Sequence, residues 1–127
     1  MEPRQLPLRI LVVDDHVDTA KMLARLLSQS GHTVRYATGY HSAVAAAQAE
    51  PCDLLLCDIG LQDGDGCDLL AQVMAMYPVK SVAVSGYGMP GEVDRFKSAG
   101  FNAYLLKPYD FRRVGEVIAE VMDVQRQ

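Results

Sequence analysis

Acidic, hydroxyl and basic side chains end four of the short apolar segments of this sequence. They are Asp14 and Asp15 together, then Asp58, Ser85 and Lys107. Three carboxylates held close together repel one another unless a cation lies between them. Oxygen ligands with open positions suit Mg²⁺, which also takes phosphoryl oxygens. A lysine charge and a hydroxyl proton would complete a site for a phosphoryl group. The residue types therefore predict magnesium-assisted phosphoryl chemistry, if the fold gathers them.

These side chains can meet only if the apolar segments that they end form neighbouring parallel strands. Helical spacing of apolar residues fills the stretches in between, as with Leu23 and Leu27 in the first. Strands that alternate with helices predict right-handed crossovers and a doubly wound α/β fold, with a mostly parallel sheet covered on both faces. Ligands bind such sheets at the carboxyl ends of the strands. The predicted strands are 9–14, 33–37, 53–58, 80–85 and 102–107, and the predicted helices are 18–30, 40–49, 65–77, 91–99 and 110–125.

Glycine and proline mark the ends of several predicted helices. Gly31 and Gly100 stand where helix C-caps are needed, since glycine adopts positive φ without strain. Pro51 and Pro78 stop the helices that precede them. The helix boundaries are therefore predicted independently of the apolar spacing.

Composition restricts the class of protein. With 127 residues, 22% of them charged, and a net charge of −4, the chain suits one domain and lacks the basic footprint of a nucleic-acid-binding protein. No apolar run could span a bilayer, and no signal-peptide core follows the N-terminal arginines. The three cysteines (Cys52, Cys57, Cys67) lack metal or disulfide spacing, which favours a cytoplasmic location. We expect a tail or linker at 1–8, one domain at 9–123 and a tail at 124–127.

Four sequence motifs resemble the receiver (response-regulator, CheY-like) domain family of two-component signalling. The resemblance covers residues 9 to about 122 and implies a flavodoxin-like fold of five parallel strands, in the order 2-1-3-4-5, with five helices. The DIGL and SGYG phrases within two of these motifs are more similar to receivers of hybrid sensor kinases than to those with DNA-binding domains. The motifs are LVVDDH at 11–16, CDIGLQDGDG at 57–66, VAVSGYG at 82–88 and AYLLKP at 103–108.

The resemblance implies a role for each acidic residue. Asp58 would be the phosphoacceptor and would attack a phosphohistidine on a partner kinase. Asp14 and Asp15 would hold Mg²⁺ (or Mn²⁺) together with Asp58, and the backbone carbonyl of Gly60 would be a further ligand.

The resemblance also implies a switch. Ser85 occupies the hydroxyl position and Lys107 the lysine position of the family, where the bond from Lys107 to Pro108 is cis. Tyr104 occupies the aromatic switch position. On phosphorylation Ser85 would move towards the phosphoryl group, and Tyr104 would turn from an outward to a buried rotamer. The surface of the fourth helix, fifth strand and fifth helix would change as a result.

The expected partners follow from that role. They are a histidine kinase or a phosphotransfer protein. We expect no direct contact with nucleic acid or membrane. A dimer that forms on phosphorylation is compatible with the family. The domain would not be an independent enzyme, although it would catalyse its own phosphoryl transfer and hydrolysis, and it could be part of a hybrid histidine kinase. The alternative function is an interaction module that keeps the fold without being phosphorylated.

Some features depart from the family or suggest other sites. Gln62 stands where the family usually has proline.

Residues 86–91 match the dinucleotide-binding motif G-x-G-x-x-G, but the next predicted strand ends in Lys107, where a dinucleotide site needs an acidic residue. Asp63 and Asp65 suggest a calcium loop, yet no glutamate follows at the required spacing, so Asp65 is interpreted as part of a turn that starts a helix. A metal-dependent phosphatase would need an acidic residue two positions after the nucleophile Asp58, where this sequence has Gly60.

Charged residues of the fourth predicted helix are interpreted as a solvated face rather than a docking motif. His16, directly after the acidic pair, is expected to be a loop residue rather than a metal ligand. The helix residues in question are Glu92, Asp94, Arg95 and Lys97.

Overall fold

The chain folds around one parallel sheet. The structure is a computed structural model that describes residues 7–86 and 90–123. The five strands pair in parallel in the order β2-β1-β3-β4-β5, which confirms the predicted flavodoxin-like topology. The strands are β1 (Arg9–Val13), β2 (Thr33–Ala37), β3 (Leu54–Asp58), β4 (Lys80–Ser85) and β5 (Ala103–Leu106).

Five helices cover the sheet. No helix among the described residues is long and apolar enough to cross a bilayer. The helices are α1 (Val17–Gln29), α2 (Tyr40–Ala49), α3 (Gly66–Met74), α4 (Pro90–Ala99) and α5 (Phe111–Asp123).

The two faces of the sheet have separate apolar cores. In β1, Leu11 and Val13 point to the core under α2, α3 and α4, whereas Ile10 and Val12 point to the core under α1 and α5. Successive side chains of a strand face opposite sides, so a strand covered on both faces must be apolar at every position. Each large apolar side chain buried in this way contributes about 1.5–3 kcal/mol. This burial fixes where β1 and β3 end, and hence where the acidic residues lie.

Local signals explain how the helices end. Gly31 and Gly100 follow α1 and α4 with φ of +105° and +107°, which confirms both predicted C-caps. Glu50 ends α2 in an extended conformation (φ −152°, ψ 134°), as expected of a residue that precedes a proline. Asp65 begins α3, because its carboxylate accepts a hydrogen bond from the Cys67 N–H at 2.7 Å.

Two local features differ from the prediction. Helix α3 ends at Met74 rather than at 77: the Met76 N–H donates to the Val73 carbonyl at 2.9 Å in a tighter turn, and Pro78 disfavours a helical conformation at the residue before it. After β3, Gly60–Leu61 pairs with Gly64–Asp65 in a small antiparallel hairpin that apolar patterning did not predict. Gly64 is required there, since a Cβ would lie 2.5 Å from the Tyr40 ring.

Replacing Gly31 with alanine tests the backbone requirement at the end of α1. A Cβ at this position meets nothing within 4 Å, so the cost is that of positive φ alone. We expect Gly31→Ala to lower the free energy of unfolding by about 1–2 kcal/mol. Gly115 is the matched control, because it lies within α5 with equally open space, and Gly115→Ala should raise stability by about 1 kcal/mol. Urea unfolding that shifts in the same direction for both variants would contradict this assignment.

Candidate functional site

The carboxyl ends of β1 and β3 bring three carboxylates together. Asp58 is the last residue of β3, and Asp14 and Asp15 follow β1, which pairs directly with β3. One oxygen from each carboxylate lies within 4.8 Å of the others. The acidic part of the predicted site is therefore assembled, and Asp14, with 3% of its surface exposed, is its most buried member.

Burial and the neighbouring carboxylates make ionisation of Asp14 unfavourable. Burial raises the pKa of Asp14 above its usual range. The His16 N–H, which donates to Asp14 Oδ1 at 2.9 Å, and the Lys107 charge oppose that rise, whereas the charges of Asp58 and Asp15 add to it. Oxygen donors crowded in this way are a ligand set that suits Mg²⁺ or Mn²⁺.

Lys107 neutralises part of this charge. Its Nζ donates to Asp58 Oδ2 at 2.8 Å, and the Gly60 N–H donates to the other oxygen, Oδ1, at 3.1 Å. Burial lowers the pKa of Lys107, but the hydrogen bond and charge of Asp58 outweigh it and the pKa is raised. The Lys107 N–H donates to the Ser85 carbonyl at 2.8 Å, and the peptide bond to Pro108 is cis. Lys107 thus remains charged beside the Asp58 carboxylate.

Ser85 ends β4 beside this cluster, and its side chain is turned towards α4. The residue is 5% exposed, and its Oγ donates to Glu92 Oε1 at 3.2 Å. In the register of the sheet, the preceding residue Val84 is the partner of Asp58. The structure therefore places the hydroxyl at the predicted edge of the sheet, with Glu92 as an acceptor.

The solvated-face interpretation of α4 is wrong for Glu92, which is half-buried, whereas Arg95 is exposed although it forms an ion pair. Glu92 accepts the Ser85 hydrogen bond, and Arg95, one helical turn later, pairs with the Asp65 carboxylate. Asp94 and Lys97 are exposed, as predicted. Helical spacing showed that 92 and 95 share a face, but not that this face meets the strand and loop ends.

Tyr104 lies away from the acidic cluster. It points outward from β5 with 38% of its surface exposed. It lines an open groove of about 680 Å³ that also includes Phe96 of α4 and Arg113 of α5. The aromatic ring is therefore at the surface where the switch was predicted.

The other candidate sites are explained by different contacts. Asp63 accepts the Tyr40 and His41 N–H groups at 2.6 and 3.3 Å, so it caps α2 from another loop, a role that sequence reasoning missed. These two hydrogen bonds lower the pKa of Asp63, and the one from the Tyr40 N–H has the larger effect. Asp65 caps α3, so the two acids form no calcium loop. Residues 87–89 of the glycine-rich motif lie outside the described residues.

The architecture and the acidic edge define a class: a doubly wound domain whose parallel strands end in a cluster of carboxylates with a lysine beside it. The sequence matches the family described as the response regulator receiver domain over residues 10–119. The chain therefore belongs to the receiver domain family of two-component signalling. The family resemblance given by the four motifs is confirmed.

Individual relatives agree with this assignment. A response regulator receiver domain protein (CheY-like) from Methanospirillum hungatei JF-1 is 32% identical, with a TM-score of 0.87, and the match covers 96% of this chain and 98% of that one. The histidine-protein kinase BarA of Escherichia coli K12 is 30% identical over 117 residues, which is 90% of this chain and 13% of BarA. The transcriptional regulatory protein ZraR of Salmonella typhimurium is 31% identical over 119 residues, 93% of this chain and 27% of ZraR.

The two curated relatives are much longer than this chain, which spans about an eighth of BarA and about a quarter of ZraR. One is a kinase and the other a transcriptional regulator, and the chain resembles both to a similar degree. Receiver sequences similar to this chain thus occur both in a histidine-protein kinase and in a transcriptional regulatory protein.

Replacing Asp14 with asparagine tests the charge crowding. Because burial raises the pKa of Asp14 in the folded protein, ionisation of this group costs stability as the pH rises through the folded pKa. Asp14→Asn removes this cost and keeps an oxygen that can accept the His16 N–H. In metal-free buffer at pH 7 we expect a gain of about 1 kcal/mol, which disappears below about pH 3, where the wild-type carboxyl is protonated in both states.

Urea unfolding at both pH values measures this gain, and Asp15→Asn should give a gain from the same relief of repulsion. Both variants should bind Mg²⁺ more weakly than the wild type. Lower metal-free stability of the variants at pH 7 would show that repulsion is not the dominant interaction.

Proposed function

We propose that the protein is a phosphoacceptor of a two-component phosphorelay, in which Asp58 receives a phosphoryl group from a phosphohistidine. The observation that carries this proposal is the position of the Asp58 carboxylate. One of its oxygens accepts from Lys107 Nζ at 2.8 Å, and the carboxylates of Asp14 and Asp15 lie within 4.8 Å. Phosphoryl transfer depends mainly on positioning and charge neutralisation, and this arrangement provides both.

The transfer step makes one bond and breaks another. An oxygen of the Asp58 carboxylate attacks the phosphorus, and the bond from phosphorus to the imidazole nitrogen of the donor breaks. The imidazole nitrogen keeps the bonding electrons as it leaves. The ring then takes up a proton as needed and ends as neutral imidazole or as imidazolium. The product is an aspartyl phosphate, which water later hydrolyses back to the Asp58 carboxylate and phosphate.

Residues around Asp58 hold the groups that react. Lys107 keeps its positive charge and would move from the Asp58 carboxylate to a phosphoryl oxygen, forming a charge-assisted hydrogen bond. The Gly60 N–H orients one carboxylate oxygen. Asp14, Asp15, Asp58 and the carbonyl of Gly60 would hold Mg²⁺ or Mn²⁺. When bound, the cation would neutralise negative charge on the transferring group.

The proposed output is a change of the surface formed by α4, β5 and α5. The aspartyl phosphate carries about 1.5–2 negative charges beside Lys107 and Ser85, against one on the Asp58 carboxylate that it replaces. Ser85 would donate to a phosphoryl oxygen, and Tyr104 would turn inwards. The donor would be a histidine kinase or phosphotransfer protein, and the chain would act within the cytoplasm.

Incubation with acetyl phosphate and Mg²⁺ tests the acceptor. We expect the intact protein to gain the mass of one phosphoryl group, because Asp58 is the nucleophile next to Lys107. Asp58→Ala should gain nothing, and chelation of the metal should abolish the gain in the wild type. Asp53→Ala is the matched control. Asp53 precedes β3, at the opposite end of the strand from Asp58, and pairs with Arg9, so this variant should gain the phosphoryl mass as the wild type does. A wild type that is never modified would instead favour the phosphorylation-independent interaction module.

The exposure of Tyr104 tests the switch. With Mg²⁺ and beryllofluoride, a phosphoryl mimic, we expect its ring to become buried, which NMR measurement of ring exposure to a soluble paramagnetic probe can detect. Tyr36 is the control, because it is exposed to a similar degree (40% against 38%) on β2 and should not change. An unchanged Tyr104 would contradict this part of the proposal.

A further inference from the structure

We propose that Glu92 is a positioning residue that competes with the phosphoryl group for the Ser85 hydroxyl, and thereby holds the start of α4 in place in the unphosphorylated protein. This inference rests on the proposed role of Asp58 and adds a regulatory residue to that site. It assigns a function to a side chain that the sequence pattern had placed in solvent.

The contact that supports it joins the end of a strand to the first turn of a helix. Ser85 is the last residue of β4, and Glu92 lies in the first turn of α4, with its side chain half-buried. The Ser85 hydroxyl donates to Glu92 Oε1 at 3.2 Å. The hydrogen bond therefore ties α4 to the sheet at the edge where Asp58 lies.

The chemistry of a hydroxyl makes the two arrangements exclusive. Serine carries one hydroxyl proton and an ionised carboxylate only accepts, so Ser85 cannot donate to Glu92 and to a phosphoryl oxygen at once. Phosphorylation of Asp58 supplies a second anionic acceptor with more charge than the carboxylate. When Ser85 donates to the phosphoryl group, Glu92 loses its hydrogen bond and the N-terminal turn of α4 loses this tie.

A second contact keeps the helix attached when the first one breaks. Arg95, one turn further along the same face, pairs with Asp65, and this pair includes neither Ser85 nor Asp58. The beginning of α4 would then move relative to a point that stays fixed near Arg95. Release of Glu92 is thus a discrete change in helix contacts, which gives the switch two distinct states.

Beryllofluoride binding in the presence of Mg²⁺ measures the competition. We expect Glu92→Ala to bind beryllofluoride about tenfold more tightly than the wild type, since it removes a charge-assisted hydrogen bond from the unbound state alone. Asp94→Ala is the matched control, because it removes the same charge from an exposed position on the same helix, and its affinity should stay within about twofold of the wild type. Equal affinities of the wild type and Glu92→Ala would overturn the proposal.

The same substitution in a Ser85→Ala background separates competition from simple repulsion. Without the hydroxyl, Glu92→Ala should tighten binding by no more than about twofold, because sites that interact are not additive in such a cycle. A tightening that persists at about tenfold would mean that Glu92 acts through its charge alone, and the competition would be refuted. A wild type that binds no beryllofluoride at all would instead refute the proposed function of Asp58.

Amide exchange in the metal-free, unmodified protein supplies a readout that needs no ligand. Glu92→Ala and Ser85→Ala should each speed exchange in the first turns of α4, while Asp94→Ala should leave it unchanged. Unaltered exchange in both of the first two variants would show that the hydrogen bond does not hold the helix, and would overturn the proposal.

Discussion

Repulsion among three carboxylates at one edge of the sheet is the constraint on which this site depends. Asp14, Asp15 and Asp58 stand within 4.8 Å of one another because the strands that carry them are neighbours and are buried on both faces. The strands cannot separate without exposing apolar residues to water, so the repulsion is retained in the fold. Lys107 offsets part of it through its 2.8 Å contact with Asp58. Carboxylates crowded in this way are a ligand set suited to a cation.

The loop after β3 extends this constraint to the neighbouring helices. Asp63 caps α2, and Asp65 caps α3 while it pairs with Arg95 of α4. The Gly64 backbone, which lies between them, lies against the Tyr40 ring at the start of α2. The C-terminal part of the loop that carries the Gly60 N–H is therefore fixed by hydrogen bonds from backbone N–H groups of α2 and α3 to its two carboxylates. Such support keeps the acceptor carboxylate in one orientation.

The sequence could predict the features that depend on pattern and chain order. Apolar runs gave the strands of the sheet, and polar residues at their ends gave the acidic cluster with Lys107. Contacts between loops far apart in sequence could not be predicted in this way, because their partners are set only by the packed fold. The Asp63 cap joins residues 23 positions apart, and the pair of Arg95 and Asp65 joins residues 30 apart.

Proximity alone does not couple the acceptor to a surface, since a signal needs an element with two exclusive arrangements. Most contacts around Asp58 can strengthen or weaken continuously as charge is added. In the proposed switch the Ser85 hydroxyl differs, because its one proton, which goes to Glu92 in this structure, would go to a phosphoryl oxygen instead. The Ser85 hydroxyl is a buried donor at the end of a strand, between α4 and the acidic cluster. A change of charge at the cluster would therefore exchange one hydrogen bond for another. The position of Glu92 therefore explains why α4 would move in the proposed switch.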